Sequence, residues 1–369
     1  MKIAMRRGTP DRVPVMCQMS IGHMLLQLGV SPLEFWHDPV TFSDGLVRLR
    51  SIYGFDGILV SLHGHDPDWR STIASTGPSE EGNVVTFTDG HQMIYPTDNL
   101  PRPTTEIRTD SPSLQSFDPS LLPEVLDYIP VSLGLHFQIH SSHRFDVFRM
   151  VREKSGGDIS VHGEVTSPFD YFLDLFGYEG GLVGLLREPE KSLTVLSRFT
   201  GLVSTLVEEM CATSVDAIKI SSPFAGSAFI SRDFYQRFVL PHESAVAAAA
   251  HRHGVPIYTH TCGSVGDRLD LMFDAGVDGI ECLDPPPLGD VDLEEAKERT
   301  EGRGFIKGNV DSVHTLLLKG ENEILADLEK KVKVGKKGGG YILSTACSVA
   351  PGVERSKLLL MREAAERWG

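Results

Sequence analysis

Eight short apolar runs, each ending in polar or small residues, recur along this chain, and that repetition constrains the fold more than any other feature. They are VPVMC (13–17), DGILVS (56–61), DISVHGEV (158–165), AIKISS (217–222), PIYTHTC (256–262), GIECLD (279–284), FIKGNV (305–310) and YILSTAC (341–347). Helical patterns separate most of them, at 193–212, 231–254, 264–276 and 321–335. Several of these open on Ser or Asp and close on Gly, as helix ends prefer. Pro241 falls inside the second pattern, which predicts a kink or a fresh start there. Strands alternating with helical crossovers argue for a parallel sheet, and eight of them for an α/β fold closed as a (β/α)8 TIM barrel. A doubly wound open sheet is the rival, but no Gly-rich phosphate fingerprint follows an early strand.

Residues 79–145 interrupt the alternation. EGNVVTFTDGHQMIYP (81–96) alternates around Asp89-Gly90, a hairpin signal, and the Pro- and Ser/Thr-rich 96–115 reads as loop. The expected organisation is one barrel domain over 1–369, with 79–145 inserted after the second strand and folded over the barrel mouth.

His260, Cys262 and Cys347 are the candidate metal ligands. They stand in THTCG (259–263) and STACS (344–348). On an extended strand, residues two apart project to the same face. A third soft ligand follows Cys262 by 85 residues in a similar small-residue setting. Three N and S ligands leave a tetrahedral zinc one open position, the mark of a catalytic site. The competing reading is that a buried Cys is simply a small hydrophobe. Barrel active sites lie at the C-terminal ends of strands. His260 and Cys262 end the fifth run and Cys347 ends the eighth, so fold and ligand positions agree.

Composition restricts the setting. The chain has 369 residues and a net charge of −15, which argues against nucleic acid as a partner. Five Cys without dense spacing do not form a secreted disulfide framework. The N-terminal segment shows no signal-peptide pattern, and no stretch approaches the ~20 apolar residues of a membrane span. A soluble, cytoplasmic protein is expected.

The sequence resembles the uroporphyrinogen decarboxylase superfamily, and more narrowly its zinc-dependent corrinoid methyltransferase branch. The resemblance runs from RRGTPDRVPV (6–15) through HGEVTSPFDYFL (162–173), ISRDFYQRFVLPHESAV (230–246), IYTHTCG (257–263) and FIKGNVDS (305–312) to TACSVAPGVERSKLLLM (345–361). It implies a (β/α)8 barrel and a zinc held by His260, Cys262 and Cys347, the last of which selects the branch. The decarboxylase itself fits poorly. Where its Arg-rich tetrapyrrole grip would fall, MCQMSIGHMLLQLG (16–29) has no Arg, and Asp56 reads as a turn carboxylate.

Other residues carry two readings each. Glu164 is a fourth zinc ligand or general acid, or else caps the helix beginning near Ser167-Pro168. Glu281, a charge on a strand, is a catalytic carboxylate with a perturbed pKa or the partner of an Arg or helix cap. His162 shares a strand face with Glu164 and contacts substrate at the mouth, or is a hydrogen-bonded core residue. Asn309, in KGNVD, resembles the family's cavity-lining signature or holds a turn. His63 and His65 form a His-x-His beside Asp66, read as substrate contacts or polar rim, with a second metal site as the remaining option. Met16, Met19 and Met24 line an apolar pocket or pack the core. Cys17, Cys211 and Cys282 are read as buried residues without partners.

The function implied is methyl transfer between a small molecule and a corrinoid carried by a separate partner protein, because this chain lacks the Asp-x-His-x-x-Gly corrinoid signature. The donor expected is a small methyl compound, specifically an aromatic methyl ether undergoing O-demethylation. A methylcobamide:thiol methyltransferase of the coenzyme M type, a uroporphyrinogen decarboxylase and a non-catalytic zinc-binding partner of a corrinoid protein are the alternatives. Oligomeric state is left open, a homodimer included.

Overall fold

The computed structural model describes residues 1–105, 111–132 and 134–369. Its strands, in chain order, begin with β1 (Gly57–Val60). Next come β2 (Ile73–Ser79), β3 (Gly82–Phe87), β4 (Gln92–Tyr95), β5 (Arg102–Pro103), β6 (Tyr128–Ser132) and β7 (Leu135–Gln138). The chain continues with β8 (Ser160–Thr166), β9 (Ala217–Ser221), β10 (Ile257–Thr261), β11 (Gly279–Cys282), β12 (Phe305–Val310) and β13 (Tyr341–Thr345). Strands β1 and β8 to β13 form one sheet in sequence order, every neighbour parallel.

The first apolar run closes this sheet into a barrel. Val15 bridges Leu343 of β13 in parallel, with Met16 N donating to Leu343 O at 3.1 Å and Leu343 N to Pro14 O at 2.8 Å. On the other side, Asp56 N donates to Val15 O at 2.8 Å, just ahead of β1. The segment makes bridges instead of a full ladder because Pro14 has no N–H to give. Arg12 and the Val15 N–H both bind the Asp56 carboxylate at 2.8 Å, pinning this stave. The fold is a (β/α)8 barrel.

Strand parity sorts the side chains into two cores. Val15, Ile218, Ile220, Ile257, Ile280, Ile306 and Leu343 point outward and pack under the helices. Met16, Ala217, Tyr258, Phe305 and Ile342 point inward and meet Ala4 and Met5 of the N-terminal helix Lys2–Met5, which plugs the barrel floor. Helices start where the sequence signals placed them. Ser167 caps Pro168–Phe176 by accepting from Asp170 N at 3.0 Å, and Ser231 caps Arg232–Phe238. A fresh helix begins at Leu240, with Pro241 in its first turn.

Between β1 and β8 the chain builds a four-stranded antiparallel sheet, β2-β3-β4-β5, and a separate β6-β7 hairpin. The first of these strands starts at Ile73, ahead of residue 79. β3 and β4 pair across the Asp89-Gly90 turn, where Gly90 has φ +91° and so needs no Cβ. Residues 106–110, within the segment read as loop, lie outside the described residues. His140 N donates to Gly64 O at 2.7 Å and Tyr171 Oη to Tyr128 O at 2.8 Å. His37 and Tyr95 hydrogen-bond at 2.6 Å. Gly64 and Tyr171 come shortly after the C-terminal ends of β1 and β8. Among the described residues, no helix is long and apolar enough to cross a membrane.

Candidate metal centre

β10 and β13 are separated in the sheet by β11 and β12, yet the residues at and just past their C-terminal ends converge across the barrel mouth. His260 Nε2 lies 3.2 Å from Cys262 Sγ, and Cys262 Sγ lies 3.7 Å from Cys347 Sγ. All three donor atoms fall within 4.8 Å of one another. Two thiolates on a tetrahedral zinc, each at ~2.3 Å, stand about 3.8 Å apart, so the donors present fit this ion. Ala346 N, donating to Val310 O at 2.8 Å, fixes the turn that carries Cys347. His260 is buried while both cysteines are partly exposed, so the sulfur side of the cluster faces the mouth.

A layer of charge lies directly beneath. In the sheet register Glu164 sits beside Lys219, and Glu281 sits between His260 and Lys307. His260 Nδ1 is 3.1 Å from Glu281 Oε2, which fixes the tautomer and turns Nε2 toward the sulfurs. Lys307 Nζ donates to the other Glu281 oxygen. Lys219 Nζ is 3.2 Å from Glu281 Oε2, 3.3 Å from Glu164 Oε1 and hydrogen-bonded to Gln18. Two ammoniums and two carboxylates thus balance inside the barrel. Burial, then the neighbouring Lys219, pushes Lys307 down to about 7, while Cys17 and Glu164 oppose that shift.

The thiols differ in proton affinity. Hydrogen bonds from Cys282 and then Cys347 hold Cys262 well below the usual thiol range. Its hydrogen bond to Cys262, then burial, raises Cys347, and burial raises Cys282. Burial lowers His260, with Lys219 adding to it. The cluster therefore favours a thiolate at Cys262 beside a neutral imidazole.

The sequence-derived candidates divide by depth. His260, Cys262, Cys347 and Glu281 come together as one unit. Glu164 faces the same interior but joins neither cluster of possible metal ligands among the described residues, and its Oε2 has no partner there. It does not cap the next helix, because Ser167 does. His162 does not reach the mouth. It lies two residues below Glu164, with Nε2 2.9 Å from Ser160 Oγ and Nδ1 3.0 Å from Tyr258 Oη. Met16 belongs to the apolar floor and is no pocket-lining residue, because the 13–17 stave places it a layer lower than Gln18. Asn309 spends its amide on structure, donating to Leu283 O at 3.0 Å and accepting from Lys331 at 3.2 Å. His63 stacks on Phe145 and binds Arg144 O at 2.9 Å, which ties the returning chain to β1.

Cys282 is the correction. Read as partnerless, it lies with Asp284 within 4.8 Å of Cys262 as a second group of metal-ligating type. Its S–H is 3.1 Å from Asp284 Oδ2, which also accepts from Gly263 N at 2.7 Å. Strand parity points Cys282 away from Glu281, but a φ of +85° swings it back toward Cys262. Lys219 and Lys307, the few cations the sequence offers near strand ends for a sulfonate, are instead paired with Glu164 and Glu281.

A family model described as uroporphyrinogen decarboxylase (URO-D) matches residues 135–368. The methylcobamide:CoM methyltransferase MtbA of Methanosarcina acetivorans is 26% identical over 224 residues, 60% of this chain and 62% of that protein. MtbA of Methanosarcina mazei is 26% identical over 221 residues, and here too the matched stretch spans 62% of the relative's length. A uroporphyrinogen decarboxylase of Mycobacterium leprae is 30% identical over 169 residues, 42% of this chain and 46% of its own length. Among solved structures, a methyltransferase from Methanosarcina mazei superposes with a TM-score of 0.71 at 18% identity. It covers 98% of this chain and 96% of that one, and so shares the barrel fold.

Proposed function

The chain belongs to the uroporphyrinogen decarboxylase family, and on that premise we propose that it is a zinc-dependent methyltransferase. It moves a methyl group from a small donor to the cobalt of a separate corrinoid protein. The convergence of one imidazole and two thiols at the ends of β10 and β13 carries the reading. His260, Cys262 and Cys347 would hold the zinc, which when bound supplies Lewis acidity toward the donor's leaving oxygen. Glu281 keeps His260 in the tautomer with Nε2 free. Glu164, with Oε2 unpartnered among the described residues, would relay a proton from water to the released oxygen.

The balanced interior charge favours an uncharged donor, and the donor proposed is an aromatic methyl ether. An anionic substrate would have to take Lys219 or Lys307 from its carboxylates. On this reading the 79–145 insertion covers part of the mouth and shields the donor from water, while the corrinoid partner docks on the open side. One observation favours a second reading, transfer from methyl-cobalt to a thiol. Two relatives are methylcobamide:CoM methyltransferases.

The test is methyl transfer with a corrinoid protein from the same organism under conditions that keep cobalt reduced. Aromatic methyl ethers, methylamines and thiols are supplied in parallel. Transfer from an ether to cobalt(I) supports the first reading, and transfer from methyl-cobalt to a thiol the second. Zinc binding without any transfer leaves only a non-catalytic partner of corrinoid proteins. Tetrapyrrole decarboxylation without corrinoid refutes all three.

A further inference from the structure

β3, β4 and β7, helix Pro32–His37 and the loop after β1 wall a cavity of about 560 Å³ that contains no residue of the metal cluster or the charged layer. Trp36, Trp69, Phe87, Tyr95 and Phe137 supply its apolar walls, each at most 8% exposed. No lysine or arginine lines it among the described residues. Asp66 and the exposed Asp89 stand at its rim.

One wall residue is out of place for a packed core. His65 is 2% exposed, yet neither ring nitrogen has a hydrogen-bond partner among the described residues. Phe42 at 4.9 Å and Phe137 at 4.7 Å flank the ring. A buried imidazole with an idle donor and an idle acceptor is costly unless something else completes it. Burial drives His65 down to about 3, so the ring is neutral and offers one N–H and one lone pair.

We propose that this cavity is a binding site for an uncharged phenol, whose ring packs among the aromatic walls and whose hydroxyl pairs with His65. Aromatic walls favour a flat apolar body by offset and edge contacts. Of the two rim carboxylates, Asp89 is paired with the His91 ring, which leaves Asp66 to repel an anion. A cation is disfavoured at depth, because the carboxylates that could pair with it stand at the rim while the buried polar group is a neutral imidazole. The proposal is independent of the methyl-ether reading, because a ring held between these walls touches no residue of the metal cluster.

The experiment is calorimetric titration of the full zinc-loaded chain with 2-methoxyphenol, catechol, benzoate and tetramethylammonium, with tryptophan fluorescence as a second readout. Both phenols bind, and benzoate binds at least about tenfold more weakly. His65→Phe keeps the ring between its neighbours and weakens phenol binding by about tenfold or more. Leu135→Trp, which fills the cavity from its rim, abolishes it. Near-UV circular dichroism and zinc content stay unchanged in both variants. Phenol affinity unaltered in both variants, no phenol binding to the parent protein, or tetramethylammonium bound in place of phenols would each overturn the proposal. Phenol binding without methyl transfer from 2-methoxyphenol supports the site and removes the methyl-ether reading alone.

Discussion

Glu281→Gln probes the charged layer most directly. Glu281 is 1% exposed, Lys219 and Lys307 are fully buried, and the carboxylate touches both ammoniums and His260 Nδ1. The amide keeps the shape and can still accept the imidazole N–H, so the change removes mainly charge. It leaves two buried cations facing Glu164 alone. Stripping one partner from such a network costs about 3–5 kcal/mol. Losing the carboxylate behind a metal-ligating imidazole weakens metal binding about 10–100-fold, or about 1.4–2.7 kcal/mol. Urea unfolding of the metal-free protein at neutral pH reads the first quantity, and zinc competition with a chromophoric chelator reads the second. The parent's own stability should rise as pH climbs above about 7. Lys307, already down to about 7, loses its proton in the folded state while the unfolded lysine keeps one, so stability increases with pH. Adding Lys307→Met to Glu281→Gln removes one stranded cation and should restore about 2–3 kcal/mol as a coupling energy. A loss below about 1 kcal/mol for the single variant, with no recovery in the double, would refute the claim that these charges hold one another.

Cys347→Ala should drop zinc below one per chain and end activity while the fold persists. Cys282→Ser should retain one zinc, because Cys282 contacts only Cys262 of the three; atomic emission on purified protein separates the two. If Cys347→Ala unfolds the chain, the zinc is structural. Burial raises Glu243 from the ordinary 4.5 to about 7. Its contribution to stability is therefore complete below about pH 4.5 and lost as pH climbs through 7. Glu243→Gln should gain on the parent protein over that window by up to about 3 kcal/mol, measured as the difference in unfolding free energy. Arg268 is fully buried and donates to Ala225 O at 2.8 Å and Ile230 O at 3.0 Å, bracing the loop whose Gly226 meets Cys262 O. Arg268→Met strands those carbonyls, and should cost about 2–5 kcal/mol in a urea titration.

The sequence alone determined whatever follows from period and parity. Eight apolar runs in alternation with helical patterns specify a barrel, because parallel strands need crossovers and eight of them close on themselves. The His260-x-Cys262 spacing places both donors on one strand face, and the barrel rule puts that face at the mouth. Glu281 was legible for a similar reason, since a strand carboxylate must find partners. Parity gives a face but not a depth, and there the sequence reading stopped. Met16 and His162 share the interior with Glu281 and His260, yet one packs the floor and the other bonds Ser160 and Tyr258 beneath the charged layer. Asn309 and His63 were legible as polar residues near strand ends, while their use in holding a turn and a returning loop depends on contacts with Leu283, Lys331 and Arg144. Cys282 escaped notice because a positive φ breaks the alternation that sequence reasoning assumes. The tertiary structure alone decided how four buried charges offset one another, because Glu164, Lys219, Glu281 and Lys307 lie on four strands and meet only when the barrel closes.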